Sequence, residues 1–118
     1  MFHSKYRAKK VTTEDGTFDS KKELQRWEVL KGMQEQGLIS DLERQVKFEL
    51  LPKQILLVPR DKKGRKQKCE LPVSYIADFV YIENGKQIVE DAKGMRTPEY
   101  ILKRKMMKFL KDIEVKEV

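Results

Sequence analysis

The sequence predicts a single mixed domain, α/β in the broad sense and α+β in its segregation, and three observations lead there. Two segments repeat apolar residues at helical spacing, several short segments alternate with period two, and an Asn-Gly pair at 84–85 divides a long strand-like run into a hairpin. The chain of 118 residues is long enough for one modest core and too short for two. No repeat and no Pro/Ser-rich linker divides it, so 1–118 is taken as one domain.

Residues 1–16 read as a basic N-terminal arm, the first twelve without periodicity. Ser20 followed by Glu23 has the spacing of a capping box, and good helix formers continue from there. Leu24, Trp27, Leu30 and Met33 give that helix an apolar stripe, and Gly37 is a stop, so the spacing predicts a helix over 20–36. Val46, Phe48 and Leu50 alternate with Gln45, Lys47 and Glu49 as a half-buried strand. A short strand over 55–58 follows between Pro52 and Pro59. Residues 60–70 are an exposed basic loop or hairpin tip: RDKKGRKQK holds six basic residues, one acid and a central Gly64.

VSYIADFVYIE then runs into Asn84-Gly85, and KQIVEDAKG returns. Thr97-Pro98-Glu99 supplies an N-cap, a proline at the first helical position and an acid in the first turn. The helix it opens extends to about residue 111, with Leu102, Met106, Phe109 and Leu110 expected as its inward side. Phe109, Trp27 and Tyr75 are all expected in the core, and IEVKEV closes the chain as a strand. The expected order is α-β-β-β-β-α-β.

Composition narrows the chemistry. Hydrophobic residues are 39% and charged residues 38%, a polar but foldable balance. Lys and Arg number 26 against 19 Asp and Glu, for a net charge of +7, which points to a polyanionic partner. No run has the length of a membrane span, the N-terminus lacks the apolar core of a secretory signal, and Cys69 is the one cysteine. These features lead to the expectation of a cytoplasmic protein with no membrane partner. His3 is the one histidine, which excludes zinc sites built on several His or Cys, and no phosphate-binding glycine loop occurs. The remaining chemistry belongs to carboxylates, lysines and arginines.

A two-residue turn at Asn84-Gly85 pairs Glu83 with Lys86 and carries Asp78 opposite Asp91. Directly opposed residues have Cβ atoms roughly 4.5–5.5 Å apart. Strict alternation then gathers Ile76, Asp78, Val80, Val89, Asp91 and Lys93 on one face, and Ala77, Phe79, Tyr81, Ile88, Glu90 and Ala92 on the other. Both faces are largely apolar, so the pair is expected at the centre of a covered sheet. Two carboxylates opposed there would repel and lose hydration unless a cation joined them. Mg²⁺ suits such oxygens and keeps water positions open, with Mn²⁺ able to substitute, and Lys93 beside it could steady a phosphate oxygen or the attacking water. The bland alternative is a solvated strand face with a weak Asp91–Lys93 ion pair; the apolar neighbours on the same face argue against it.

These residues resemble the PD-(D/E)XK nuclease superfamily: IADFV resembles the strand with its first acid, and VEDAKG its acid-X-Lys strand, as Asp91-Ala92-Lys93. Ala77 stands where the superfamily's name has proline. The resemblance runs from about residue 20 to the C-terminus and implies a restriction-endonuclease-like αβββαβ core, a mixed central sheet flanked by helices. Small phage-encoded members and Holliday-junction resolvases are the nearest in character. What the resemblance implies is a Mg²⁺-dependent DNA endonuclease, acting on branched or junction DNA as a homodimer in a bacterial host cell.

By the same resemblance, Asp78 and Asp91 would bind the metal together with the Ala92 carbonyl, and Lys93 would serve catalysis. Glu23 would be the helix-borne acid; its alternative duty is to complete the cap with Ser20. Glu28 is a weaker rival, and Glu90 is expected to be structural. Arg60, Lys62, Lys63, Arg65, Lys66 and Lys68 are the expected DNA-binding cluster, of a type that grips phosphates without reading sequence. Lys103 on the last helix is a further candidate. A nuclease with another substrate, and a non-catalytic nucleic-acid-binding protein on the same fold, are the competing readings.

Overall fold

The computed structural model describes residues 9–60, 62–92 and 95–118. It opens on a feature that the sequence pattern does not announce. Within the expected irregular arm, Val11–Thr13 (β1) and Gly16–Phe18 (β2) pair as an antiparallel hairpin. Gly16 permits it: its φ of +120° is a backbone that side-chain-bearing residues avoid, and a Cβ there would stand 3.0 Å from the Arg44 guanidinium. The hairpin is held to the body by its last residue, because Phe18 is fully buried beneath that same guanidinium.

The first helix, Lys21–Glu35 (α1), starts where the capping pattern places it. The Ser20 hydroxyl accepts the Glu23 N–H at 3.1 Å, and the Glu23 carboxylate reaches back to the Asp19 N–H at 3.1 Å. A capping interaction of this kind is worth about 1 kcal/mol. Leu30 is buried beneath the helix, and Trp27 stacks on Phe79 with centroids 6.1 Å apart.

Ser40–Leu51 (β3) is longer than expected. It pairs with Val73–Glu83 (β6), which pairs with Lys86–Asp91 (β7), and Lys116–Glu117 (β8) joins β7 in parallel. The sheet order is β3-β6-β7-β8, with three antiparallel strands and one parallel. Asn84 and Gly85 take φ of +53° and +77°, as a two-residue hairpin requires, and the register from Phe79–Glu90 to Glu83–Lys86 is the one the turn predicts.

Between β3 and β6 the chain leaves the sheet. Gln54–Leu57 (β4) and Gln67–Glu70 (β5) form a separate hairpin, exposed on both faces, so the expected basic loop is the tip and returning strand of a ribbon.

One core lies on each side of the sheet. Leu30, Ile39, Phe79 and Tyr81 form the α1 side, and Leu50, Tyr75, Ala77, Val80, Val89 and Val115 form the other with Tyr100 and Met107 of the second helix, Pro98–Lys111 (α2). Ala77 therefore departs from the expected alternation. Arg44 and Phe79, paired across the strands, face α1, whereas their neighbours Val46 and Ala77 pack toward α2. The pleat changes sides at Gln45 and Asp78, and Gln45 carries the cause, a left-handed φ of +52° in mid-strand. Such a backbone costs a non-glycine residue roughly 1–2 kcal/mol.

The inward side of α2 also differs. Tyr100 and Met107 are buried, while Leu102, Phe109 and Leu110 lie outside, Phe109 at 88% exposure. Met106 packs against the core as expected, beside Ile101, and the seated side also carries Tyr100 and Arg104, which both hydrogen-bond Glu117 of β8, at 2.7 and 3.1 Å. Arg96 closes on the same carboxylate with a bidentate pair, its shortest distance 2.6 Å. Hydrogen bonds from Arg96, then Tyr100, hold the Glu117 pKa down at about 2. A carboxyl depressed on folding contributes stability in full above its ordinary value of 4.5 and loses it as pH falls from there toward 2. Glu117→Gln is therefore expected to lower the urea midpoint at pH 7, with the gap to the native protein closing by pH 2. A gap independent of pH would overturn this assignment.

Candidate functional site

The switch of pleat at Gln45 and Asp78 lies beside the start of α1, and three side chains meet there. The Gln45 side-chain nitrogen donates to Glu23 Oε1 at 3.2 Å and to Asp78 Oδ1 at 3.3 Å. The other Asp78 oxygen accepts the Ala92 backbone N–H at 2.9 Å, which ties Asp78 across to the end of β7. Glu23 is 3% exposed and Asp78 half-buried. Of the duties posed for Glu23, the cap is present and engages one of its two oxygens. Oε2 caps the helix, and Oε1 faces Gln45, with an Arg44 guanidinium nitrogen 3.6 Å away. Burial raises the Glu23 pKa, and the neighbouring Asp78 charge raises it further. A positive group arriving at this pair would relieve both effects.

Asp91 lies one step beyond the Phe79–Glu90 pair, where the observed pairing of β6 with β7 ends. It is fully buried, and Oδ2 accepts the Tyr75 hydroxyl. Burial, then that bond to Asp91, pushes the Tyr75 phenol above its ordinary range, with Asp78 adding to the effect. The sequence places Tyr75 in the core and gives no signal that it is a partner of Asp91. Gln45 escapes sequence reasoning for the same reason. Both are polar residues in strands, and only the fold shows what they reach.

Among the described residues no three carboxylate, histidine or cysteine side chains cluster as a ready metal cage. The donors that converge are two carboxylates, Glu23 and Asp78, on one amide. That set fits Mg²⁺, which is commonly held by one or two protein carboxylates with water completing its shell. Lys93 lies outside the described residues. Ala92 presents its N–H to Asp78. Glu28 is on the exposed side of α1, 3.7 Å from Lys31.

Glu90 points away from this group, as expected of a structural acid. Arg26 grips it bidentately at 2.8 and 2.7 Å, and the Tyr81 hydroxyl donates to it as well. Lys103 pairs with Glu99 at 3.0 Å and lines a cavity of about 240 Å³ with Ser74, Tyr75 and Thr97. It thereby shares a cavity with Tyr75, the residue that bonds Asp91. Arg60, Lys62, Lys63, Arg65, Lys66 and Lys68 are all exposed on the β4–β5 ribbon.

No helix among the described residues is long and apolar enough to cross a membrane. No curated protein and no solved structure matches the chain. A family model does match, from residue 3 to residue 117, and the chain accordingly belongs to the DUF1064 family, described as proteins of unknown function.

Proposed function

We propose that this protein is a metal-dependent DNA endonuclease that hydrolyses phosphodiester bonds, with Mg²⁺ or Mn²⁺ at Glu23 and Asp78 and with branched DNA as its preferred substrate. The observation that carries the reading is the convergence of two buried or half-buried carboxylates on one hydrogen-bond donor. Setting aside the β1–β2 hairpin and the ribbon, the order α1-β3-β6-β7-α2-β8 is the αβββαβ order of the PD-(D/E)XK nucleases, which supports the same reading. When bound, the ion would supply hydroxide near neutral pH and offset charge growing on the phosphate.

The chain's own residues would do the rest. Tyr75 fixes Asp91, the Ala92 N–H fixes Asp78, and the helix cap fixes Glu23. Lys93 takes its catalytic assignment from its place in the Asp91-Ala92-Lys93 motif alone. The ribbon, with basic residues on its tip and returning strand, fits the phosphates of a duplex arm. Pairing of two copies on a symmetric junction is part of the proposal.

A non-catalytic nucleic-acid-binding protein is the second reading. What favours it is that Asp91 is fully buried and accepts the Tyr75 hydroxyl. One panel separates the two: duplex, flap, single-stranded and four-way-junction DNA, each with Mg²⁺, Mn²⁺ or EDTA. Metal-dependent cutting with a preference for the branched substrates is the expected result. Binding without cutting in any metal would leave the second reading in place, and cutting undiminished in EDTA would remove the metal. In the same panel, changing Arg60, Lys62, Lys66 and Lys68 to Gln should flatten the salt dependence of binding. The log–log slope should fall by about 0.9 for each phosphate that the ribbon no longer neutralises.

A further inference from the structure

Gln45 occupies an unusual place for its residue type. It takes a left-handed backbone in the middle of β3, where Gly or Asn would sit with less strain. Its long side chain is the part the fold uses. One amide nitrogen stands between two carboxylate oxygens at 3.2 and 3.3 Å. Both neighbours are acceptors, so the nitrogen end of the amide is the end that must face them. A neutral amide thus presents its positive hydrogens at the point where two negative groups converge. The nearest Arg44 nitrogen lies 3.6 Å from Glu23 Oε1 and makes its short bonds elsewhere: the guanidinium reaches the Asp15 and Thr17 carbonyls, at 3.3 and 3.0 Å.

We infer that Gln45 is a placeholder for the divalent cation: it holds Glu23 and Asp78 in position in the metal-free protein and must withdraw when the ion enters. This rests on the metal-site reading above and adds to it a competitor built into the site. A removable neutral donor keeps the carboxylates converging without the permanent charge of a lysine, which an incoming cation could not displace. The cost is a weaker apparent affinity for the ion, because each binding event breaks two hydrogen bonds.

The test needs no DNA. Mn²⁺ is titrated calorimetrically into the full-length chain, and thermal unfolding is followed in EDTA. Gln45→Asn suits the left-handed backbone but falls short of the carboxylates, and Gln45→Met keeps the length without the donors. Both are expected to melt a few degrees lower in EDTA and to bind Mn²⁺ roughly tenfold more tightly, since the displaced bonds no longer oppose the ion. Gln45→Lys is expected to do the reverse, melting no lower in EDTA and binding Mn²⁺ at least about tenfold more weakly, because its charge stays in place. Unchanged or weaker Mn²⁺ binding in both Asn and Met variants would overturn the placeholder while leaving the metal site intact. Absence of Mn²⁺ binding to the native protein would overturn the site and the placeholder together.

Discussion

Asp78→Asn is expected to reduce metal-dependent DNA cleavage by roughly a thousandfold or more, since a lost ligand carboxylate forfeits several kcal/mol of charge stabilisation. The same substitution should leave the fold intact. Asn keeps an oxygen for the Ala92 N–H, and the Gln45 amide can turn its own oxygen toward the new NH₂. Removing the negative charge beside Glu23 also removes one of the influences that raise the Glu23 pKa, the largest after burial. A carboxyl whose pKa is raised on folding weakens the native state as pH climbs from its ordinary value of 4.5 through its folded value. Asp78→Asn should therefore melt at or slightly above the native temperature at pH 8 in EDTA. Loss of activity with retained or improved stability is the signature of a site that sacrifices stability for function. Asp91→Asn is a poorer probe, because Asp91 is fully buried against Tyr75 and its loss would lower stability and activity together. Cleavage by Asp78→Asn at the native rate would end the nuclease proposal in its present form.

What can be read in the chain before folding is whatever depends on neighbours in sequence. Asn84-Gly85 determines a turn, and the turn determines a register that holds from Glu83–Lys86 to Phe79–Glu90, one step short of Asp78 and Asp91. Ser20 and Glu23 place the start of α1 to the residue. Strict alternation fails at Gln45 and Asp78, since nothing about a glutamine announces a left-handed backbone, and Ala77 packs in the other core. The face of α2 fails for a different reason. Leu102, Phe109 and Leu110 share a stripe at helical spacing, but Tyr100 and Arg104 meet Glu117 of a two-residue strand that closes the sheet beyond the helix, and Ile101 and Met107 turn inward with them. The hairpin at 11–18 is short, polar and anchored by Phe18, so it leaves almost no pattern. Gln45 and Tyr75, the two polar partners of the candidate site, are of this same non-local kind.

The largest loss of stability is expected from Arg26→Met. Glu90 is fully buried, and Arg26 supplies two of its hydrogen bonds, from separate guanidinium nitrogens to separate oxygens. The Tyr81 hydroxyl donates to one of these oxygens too, and Lys116 approaches no closer than 3.9 Å. Without Arg26 the carboxylate stays in the interior with its main counter-charge gone, which costs about 3–5 kcal/mol where a buried pair is broken from one side. Arg26→Lys should recover only part of this, because an ammonium cannot match both oxygens as the planar fork does. The double variant Arg26→Met, Glu90→Met should return to within about 1–2 kcal/mol of the native protein, since removing both charges together leaves no uncompensated group. Urea unfolding of the four proteins decides it: a single Arg26→Met within about 1 kcal/mol of native would show that the pair contributes no more than an exposed ion pair does. The outcome bears on the site as well as on the fold. Arg26 stands one turn after Glu23 on α1, and Glu90 immediately precedes Asp91 on β7. The ion pair therefore clamps the helix that carries one candidate ligand to the strand whose end fixes the other, through the Ala92 N–H. In conditions where Arg26→Met remains folded, its DNA cleavage should fall as well, through displacement of Glu23 from Asp78, while Mn²⁺ binding weakens in parallel.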